Sequence, residues 1–388
     1  MKFLSTGNYS LRTPFKEAVI SGIADNGGLY LPAEIPVLPG AFFRNMYEMS
    51  LADISYVVLS AMLGEDISSE KIKDVISAVL TFPIPVIHLK GDRLFAAELF
   101  HGPSGSCRDL SVRFMAQFFE LFFDVPANKR IKLLASVSSD YGIAVSDAFS
   151  NSDKFRIFVV SPKGKLSEEA LAKICNNGKN ITAIEVRGSE SESLSITQAA
   201  LVDKTLRDTV ILTSANTINI SSLLPLVIQY FHICARMIEN GATPDNIVFA
   251  VPGGNLADVT ALLIASEMGL PIKKIIAAYF EKETENPINK PRVEYLLESS
   301  KIPVSTVIIT ESDMISCKDA LHNQYHYTAD YSTAVNASAL LKELKDDEFG
   351  AFLATATPDI KARLVESPVH HNSISPTYNA FKRIILTE

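Results

Sequence analysis

Glu98-Leu-Phe-His-Gly-Pro-Ser-Gly-Ser-Cys-Arg108-Asp109 is the stretch on which the reading of this chain turns. Asp92 to Leu99 reads as a strand, and the apolar run Leu110 to Phe123 reads as a helix. A strand that turns through glycine into a helix leaves backbone N–H groups facing outward, and these attract anions. Reactive side chains are often mounted at such junctions. Arg108 stands at the mouth of this one.

The same rhythm recurs outward from that point. Ile131 to Val137 reads as a buried strand, Ser138-Ser-Asp-Tyr-Gly142 as a turn, and Ile143 to Ser150 as a helix. A strand at Phe155 to Val160, a helix at Leu166 to Asn176 and a strand at Ile181 to Val186 follow. Beyond residue 208, strands are predicted at Thr209 to Thr213, Ile247 to Val251, Ile275 to Tyr279 and Val304 to Ile309. A further one opens the run Phe352 to Pro358, and helices are predicted at Ile220 to Asn240 and Ala257 to Met268. Alternation of this kind predicts parallel sheets with crossover helices. The expected fold class is α/β: two open α/β domains with mostly parallel sheets flanked by helices, and a cleft between them where ligands bind. The boundaries expected are 91–207 for the first, smaller domain and 208–388 for the second. A largely helical section, 1–90, precedes them. It holds helices at Phe15 to Gly22, Ser50 to Leu63 and Ser68 to Leu80, the last capped by Ser69 or Asp66.

Composition narrows the function. Of 388 residues, 47% are hydrophobic and 21% charged, as in an ordinary globular protein. A net charge of −8 without a basic cluster argues against a nucleic-acid partner. Cys107, Cys175, Cys234 and Cys317 lack paired spacing, which fits a reducing compartment rather than a disulfide framework or zinc site. The start of the chain shows no cleavable leader, and no membrane span is expected. The expected location is cytoplasmic. No grouping has metal-ligand spacing, and no G-x-S-x-G occurs. His101 reads as a structural donor.

Two further strand-to-helix turns are candidate anion sites. Pro252-Gly-Gly-Asn255 lets backbone approach a phosphate, or is an ordinary turn. Ser138-Ser-Asp-Tyr-Gly142 offers hydroxyls and helix N–H groups, or is a simple N-cap. Three such turns at strand ends in successive units favour a small phosphorylated ligand.

In sequence order, several motifs together resemble the threonine synthase family, pyridoxal-phosphate (PLP) enzymes of fold type II, the tryptophan synthase β-like fold. They are Phe15-x-Glu17-Ala18-Val19, Gly27-Gly28-Leu29-Tyr30-x-Pro32, Glu98-Leu-Phe-His-Gly-Pro103 and Pro162-Lys-Gly164-x-x-Ser167. Ser214-Ala-Asn-x-Ile-Asn219, Val251-Pro-x-Gly254-Asn255 and Met268-Gly-Leu-Pro-Ile272 complete the series. The resemblance implies PLP as cofactor and conversion of O-phosphohomoserine to threonine and phosphate. It places a cofactor cup at Gly253, Gly254, Asn255, Leu256 and Ala257. It puts Thr355 opposite the pyridine nitrogen, and a substrate loop at Ser138, Ser139, Asp140, Tyr141 and Gly142.

The departures fall in the chemistry. Where the family reads F-K-D, with the Schiff-base lysine in the middle, this chain reads Cys107-Arg108-Asp109. A guanidinium is permanently protonated and no amine nucleophile, so covalent PLP binding is not expected. Tyr141 replaces a threonine, Leu256 an aromatic residue and Ala257 the second cup glycine. Ser222 replaces an arginine, Tyr279-Phe280 replace T-N, and Thr357 replaces a histidine. These departures point to a non-catalytic or repurposed homologue, a pseudoenzyme. Arg108 then either holds a phosphate or another small anion in bidentate fashion, or is ion-paired, for instance with Asp109. An active enzyme using another lysine (Lys90 and Lys132 are the nearest in sequence) and a non-catalytic interaction subunit are the alternatives. A monomer or homodimer is expected, with no membrane partner.

Overall fold

Most of the apolar runs become parallel strands buried on both faces, while the edge strand Val304–Ile309 is largely half-buried or exposed. The computed structural model describes the chain outside residues 90–92, 125–128, 137–138, 283–286, 359–371 and 388; the side chains of Ser139 and Asp140 are likewise not described. Grouped by contacts, the chain forms two compact units, each discontinuous in sequence, in place of the consecutive sections 1–90, 91–207 and 208–388. One comprises Met1, Glu34–Leu110 and Leu223–Ile360; the other comprises Lys2–Ala33, Ser111–Ser222 and Lys361–Glu388.

The first unit is built on a six-stranded sheet. From edge to edge its strands are Val304–Ile309, Lys274–Phe280, Ile247–Pro252, Phe349–Ala354, Leu94–Glu98 and Val86–His88. The first five run parallel, and Val86–His88 pairs antiparallel with Leu94–Glu98. Successive residues of a strand face opposite sides. Ala96, Val248, Ala250, Ile276, Ala278 and Phe352 share one core with the helices Glu311–Tyr325 and Tyr331–Glu343. On the opposite face Phe249 meets Tyr230 of the helix Ile220–Glu239, ring centroids 5.5 Å apart. That helix is long and apolar enough to cross a membrane, but 94% of its apolar window is buried inside the protein. A core helix passes the same test of length and composition.

The second unit contains a five-stranded parallel sheet ordered Asn372–Ile374, Ile181–Val186, Phe155–Pro162, Ile131–Ser136 and Leu212–Ser214. It also contains a three-stranded antiparallel sheet, Asn8–Pro14, Lys2–Ser5 and Tyr30–Pro32. The section 1–90, expected to be largely helical with a turn and extended segment over Asp25–Pro32, therefore opens with a small sheet, of which Tyr30–Pro32 is the extended segment. Lys2–Ser5 pairs with its sequence neighbour Asn8–Pro14, and the latter is mostly exposed and polar, so it carries no apolar alternation to read. Phe15 links this part to the helix Asp109–Phe122 through edge-on contacts with Phe118 and Phe122.

Three local readings are corrected. Ser68, not Ser69 or Asp66, caps the helix Ser69–Val79, because its backbone is extended and its hydroxyl accepts from the Lys71 amide. Thr209 ends the helix Lys204–Thr209, started by the Asp203 cap, so the strand is only Leu212–Ser214. The turn read over Ser138–Gly142 is helical from Ser139 onward, as part of the helix Ser139–Ala148. Gly142 lies inside that helix, where tertiary packing overrides its low propensity.

Candidate functional site

The turn Gly253–Leu256 follows the strand Ile247–Pro252 and opens the helix Ala257–Glu267. Two of its four amides, and that of Ala257, are engaged within the chain. Gly253 N–H donates to the Ala278 carbonyl at 2.8 Å, Leu256 N–H to the Gly253 carbonyl at 3.0 Å, and Ala257 N–H to Asn255 Oδ1 at 3.0 Å. The Asn255 carbonyl accepts from Asn289, at 3.2 Å from its backbone N–H and 3.1 Å from Nδ2. The left-handed residue of the cup is Leu256, at φ +60° and ψ +14°. Ala257, at the position of the second family glycine, is simply the first helical residue. A branched-chain residue held at positive φ stores about 1–2 kcal/mol of backbone strain. A side chain added at Gly253 meets the Tyr279 ring at 2.3 Å, so this glycine exists to let that ring lie against the turn. Gly254 has open space around it.

Arg108 lies just before the helix Asp109–Phe122, its backbone N–H donating to Ser106 Oγ at 3.1 Å. Its guanidinium reaches Asp258, 150 residues away, with Nη2 donating to Oδ2 at 2.9 Å. Asp258 sits in the first turn of the helix Ala257–Glu267 and is 1% exposed. Its other oxygen accepts from the Tyr230 hydroxyl at 2.8 Å and Gln229 Nε2 at 3.4 Å. Burial first, then the Asp258 charge, pushes the Tyr230 hydroxyl well above its ordinary range, so it remains a donor.

Among the described contacts the ion-pair partner of Arg108 is Asp258 rather than Asp109. Asp109 is buried, accepts from the Ser104 amide at 2.9 Å, and packs so closely on Gly102 that a side chain there would meet its carboxylate at 2.3 Å. Its short side chain folds back to hold the Gly102–Gly105 turn, whereas the long Arg108 reaches a distant strand-to-helix junction. His101 contacts Glu98 through Nε2 and Oε2 at 2.7 Å, and the Tyr327 hydroxyl donates to the other Glu98 oxygen at 3.2 Å. Thr355 shares a 2.7 Å hydroxyl hydrogen bond with Ser332, and its N–H donates to Thr333 Oγ1 at 3.2 Å.

In the second unit, Tyr141 is buried and its hydroxyl lies 2.9 Å from Ser222 Oγ. Two positions that depart from the family pattern therefore meet, although they are 81 residues apart. Asn216 and Asn219 are structural. Asn219 Nδ2 donates to the Val19 carbonyl at 2.9 Å and to the Ser214 carbonyl at 3.2 Å, and Asn216 Oδ1 accepts from the Ile218 amide at 3.0 Å. Of the proposed substrate loop, Ser138 lies outside the described residues, and the Ser139 and Asp140 side chains are not described. Sequence reasoning singled out Arg108 but missed Asp258, Tyr230 and Gln229. An acidic residue in the first turn after the cup was the available signal, and by itself it reads as an ordinary helix-start carboxylate.

Residues 2–79 match the family described as threonine synthase N terminus. The chain is 30% identical to a threonine synthase of Buchnera aphidicola subsp. Baizongia pistaciae, with 96% of each covered. It is 29% identical to that of Escherichia coli strain K12, covering 92% of this chain and 89% of the relative. The crystal structure of threonine synthase from Escherichia coli superposes with a TM-score of 0.90 at 26% identity, covering 100% of both chains.

Proposed function

The chain belongs to the threonine synthase family, and from that premise we propose that it is a non-catalytic or repurposed member that forms no Schiff base with PLP. The observation that carries the reading is Arg108. It occupies the position of the Schiff-base lysine and is held at 2.9 Å by a buried carboxylate. A guanidinium lacks the free amine lone pair that attacks a carbonyl. Its charge is already matched by Asp258, so Arg108 serves as a counter-ion within the fold.

In the cup, the amides of Gly253, Leu256 and Ala257 donate within the chain, so any hold on a phosphate falls to those of Gly254 and Asn255. The residues present do not fit a covalently held PLP. Lys132, one alternative base, donates to the Ile385 carbonyl. Lys90 lies outside the described residues.

The test is incubation with PLP, borohydride reduction and peptide mapping, alongside a phosphate-release assay with O-phosphohomoserine. The expected result is no pyridoxyl-lysine peptide and no phosphate release above the uncatalysed rate. Turnover, or a lysine adduct formed stoichiometrically, would overturn the proposal.

A further inference from the structure

A cavity of about 460 Å³ opens in the first unit at the C-terminal ends of the parallel strands. Pro252, Ala278, Phe280, Met314, Ile315 and Val335 give it an apolar wall. Strand alternation separates it from the cup: Ala278 and Phe280 line the cavity, while Tyr279 between them lies against Gly253. The cavity therefore belongs to the face covered by the helices Glu311–Tyr325 and Tyr331–Glu343.

Its polar groups are unevenly placed. At the rim Lys282 and Glu311 form an ion pair, with side chains 59% and 54% exposed. Across the rim is Tyr331, with Lys318 Nζ 4.1 Å from its ring centroid. Two polar groups of the helix Tyr331–Glu343 are engaged within the chain: Ser332 Oγ with Thr355 Oγ1 at 2.7 Å, and Asn336 Nδ2 with the Leu353 carbonyl at 2.9 Å. Among the described residues the wall is thus mainly apolar, and on one side of the rim Lys282 and Glu311 present a cation and an anion next to each other.

We infer that this cavity binds a zwitterionic amino acid with an uncharged apolar side chain. The ligand ammonium meets the Glu311 carboxylate, the ligand carboxylate meets Lys282, and the side chain enters among Phe280, Met314 and Val335. An exposed ion pair holds weakly, so exchanging it for two pairs with the ligand costs little. Few precisely placed polar groups and an apolar wall are what small-molecule sites require, and the volume lies within their usual range. The inference does not depend on what happens at Arg108.

Calorimetric titration and thermal shift with L-leucine, L-methionine and L-phenylalanine test it. At least one is expected to bind with a sub-millimolar Kd and raise Tm. Its amine and acid analogues (isoamylamine and 4-methylpentanoate in the case of leucine) should bind at least tenfold more weakly. Glu311→Gln and Lys282→Met, both at exposed positions that leave folding intact, should each weaken binding at least tenfold. Val335→Trp should abolish it by filling the cavity, with circular dichroism confirming the fold. The inference is overturned if none of the three amino acids binds at 10 mM, if the singly charged analogues bind equally well, or if both rim variants bind like the parent.

Discussion

Arg108 and Asp258 illustrate how a single replacement changes the demands on its neighbours. Removing one member of a buried ion pair leaves the other charge unmatched, which costs about 3–5 kcal/mol. Arg108→Ala is therefore expected to lower stability by that order in denaturant unfolding, and Asp258→Asn by a comparable amount. The joint replacement Arg108→Met with Asp258→Leu is expected to recover much of the loss, because it removes both charges. With the singles Arg108→Met and Asp258→Leu measured beside it, additive losses would show that the two residues do not act as a pair. Gly253 makes a second argument at this scale. Gly253→Ala forces a methyl group into the Tyr279 ring, at a typical cost of about 1–3 kcal/mol for overpacking. Tyr279→Thr in the same chain should relieve most of it, as read from the midpoint of unfolding. Arg108 was legible in the sequence as a departure from the family pattern. Its partner was not, since no local spacing encodes a contact across 150 residues.

The helix Ile220–Glu239 carries a pH dependence of its own. His232 is buried in it, with Nε2 2.9 Å from the Ile84 carbonyl. Burial, together with the nearby Arg236 charge, lowers its pKa from 6.5 to about 4. The native state thus resists a proton that the unfolded chain accepts. Stability from this group is fully present above pH 6.5 and is lost as pH falls from 6.5 toward 4. The shift corresponds to a loss on the order of 3 kcal/mol. Tm is expected to fall across that window, and His232→Gln should flatten the fall; an unchanged slope would remove His232 as its source. The helix itself was readable from its apolar sequence. The corrected boundaries at Ser139 and Leu212 were not, because a glycine and a β-branched run gave local signals that the packed chain overrides.

At the scale of the whole molecule, the six-stranded and five-stranded sheets are each assembled from distant parts of the chain. The C-terminal strand Asn372–Ile374 pairs with Ile181–Val186, and Tyr378 and Lys382 both bond Asp203. Deleting residues 372–388 is expected to expose the edge of Ile181–Val186, with faster amide hydrogen exchange there and unchanged exchange in Ile247–Pro252. Equal loss of protection in both strands would mean that the deletion unfolds the chain globally. The strands and helices were set by the sequence through apolar runs, glycine turns and capping residues, all local in origin, and their order revealed the family. Only the tertiary structure decided that Arg108 faces Asp258, that Tyr141 meets Ser222 and that Tyr279 lies on Gly253. The physical reason is that a side chain's charge and size are properties of the residue, whereas the partner that neutralises or accommodates them is chosen by the packing of segments remote along the chain.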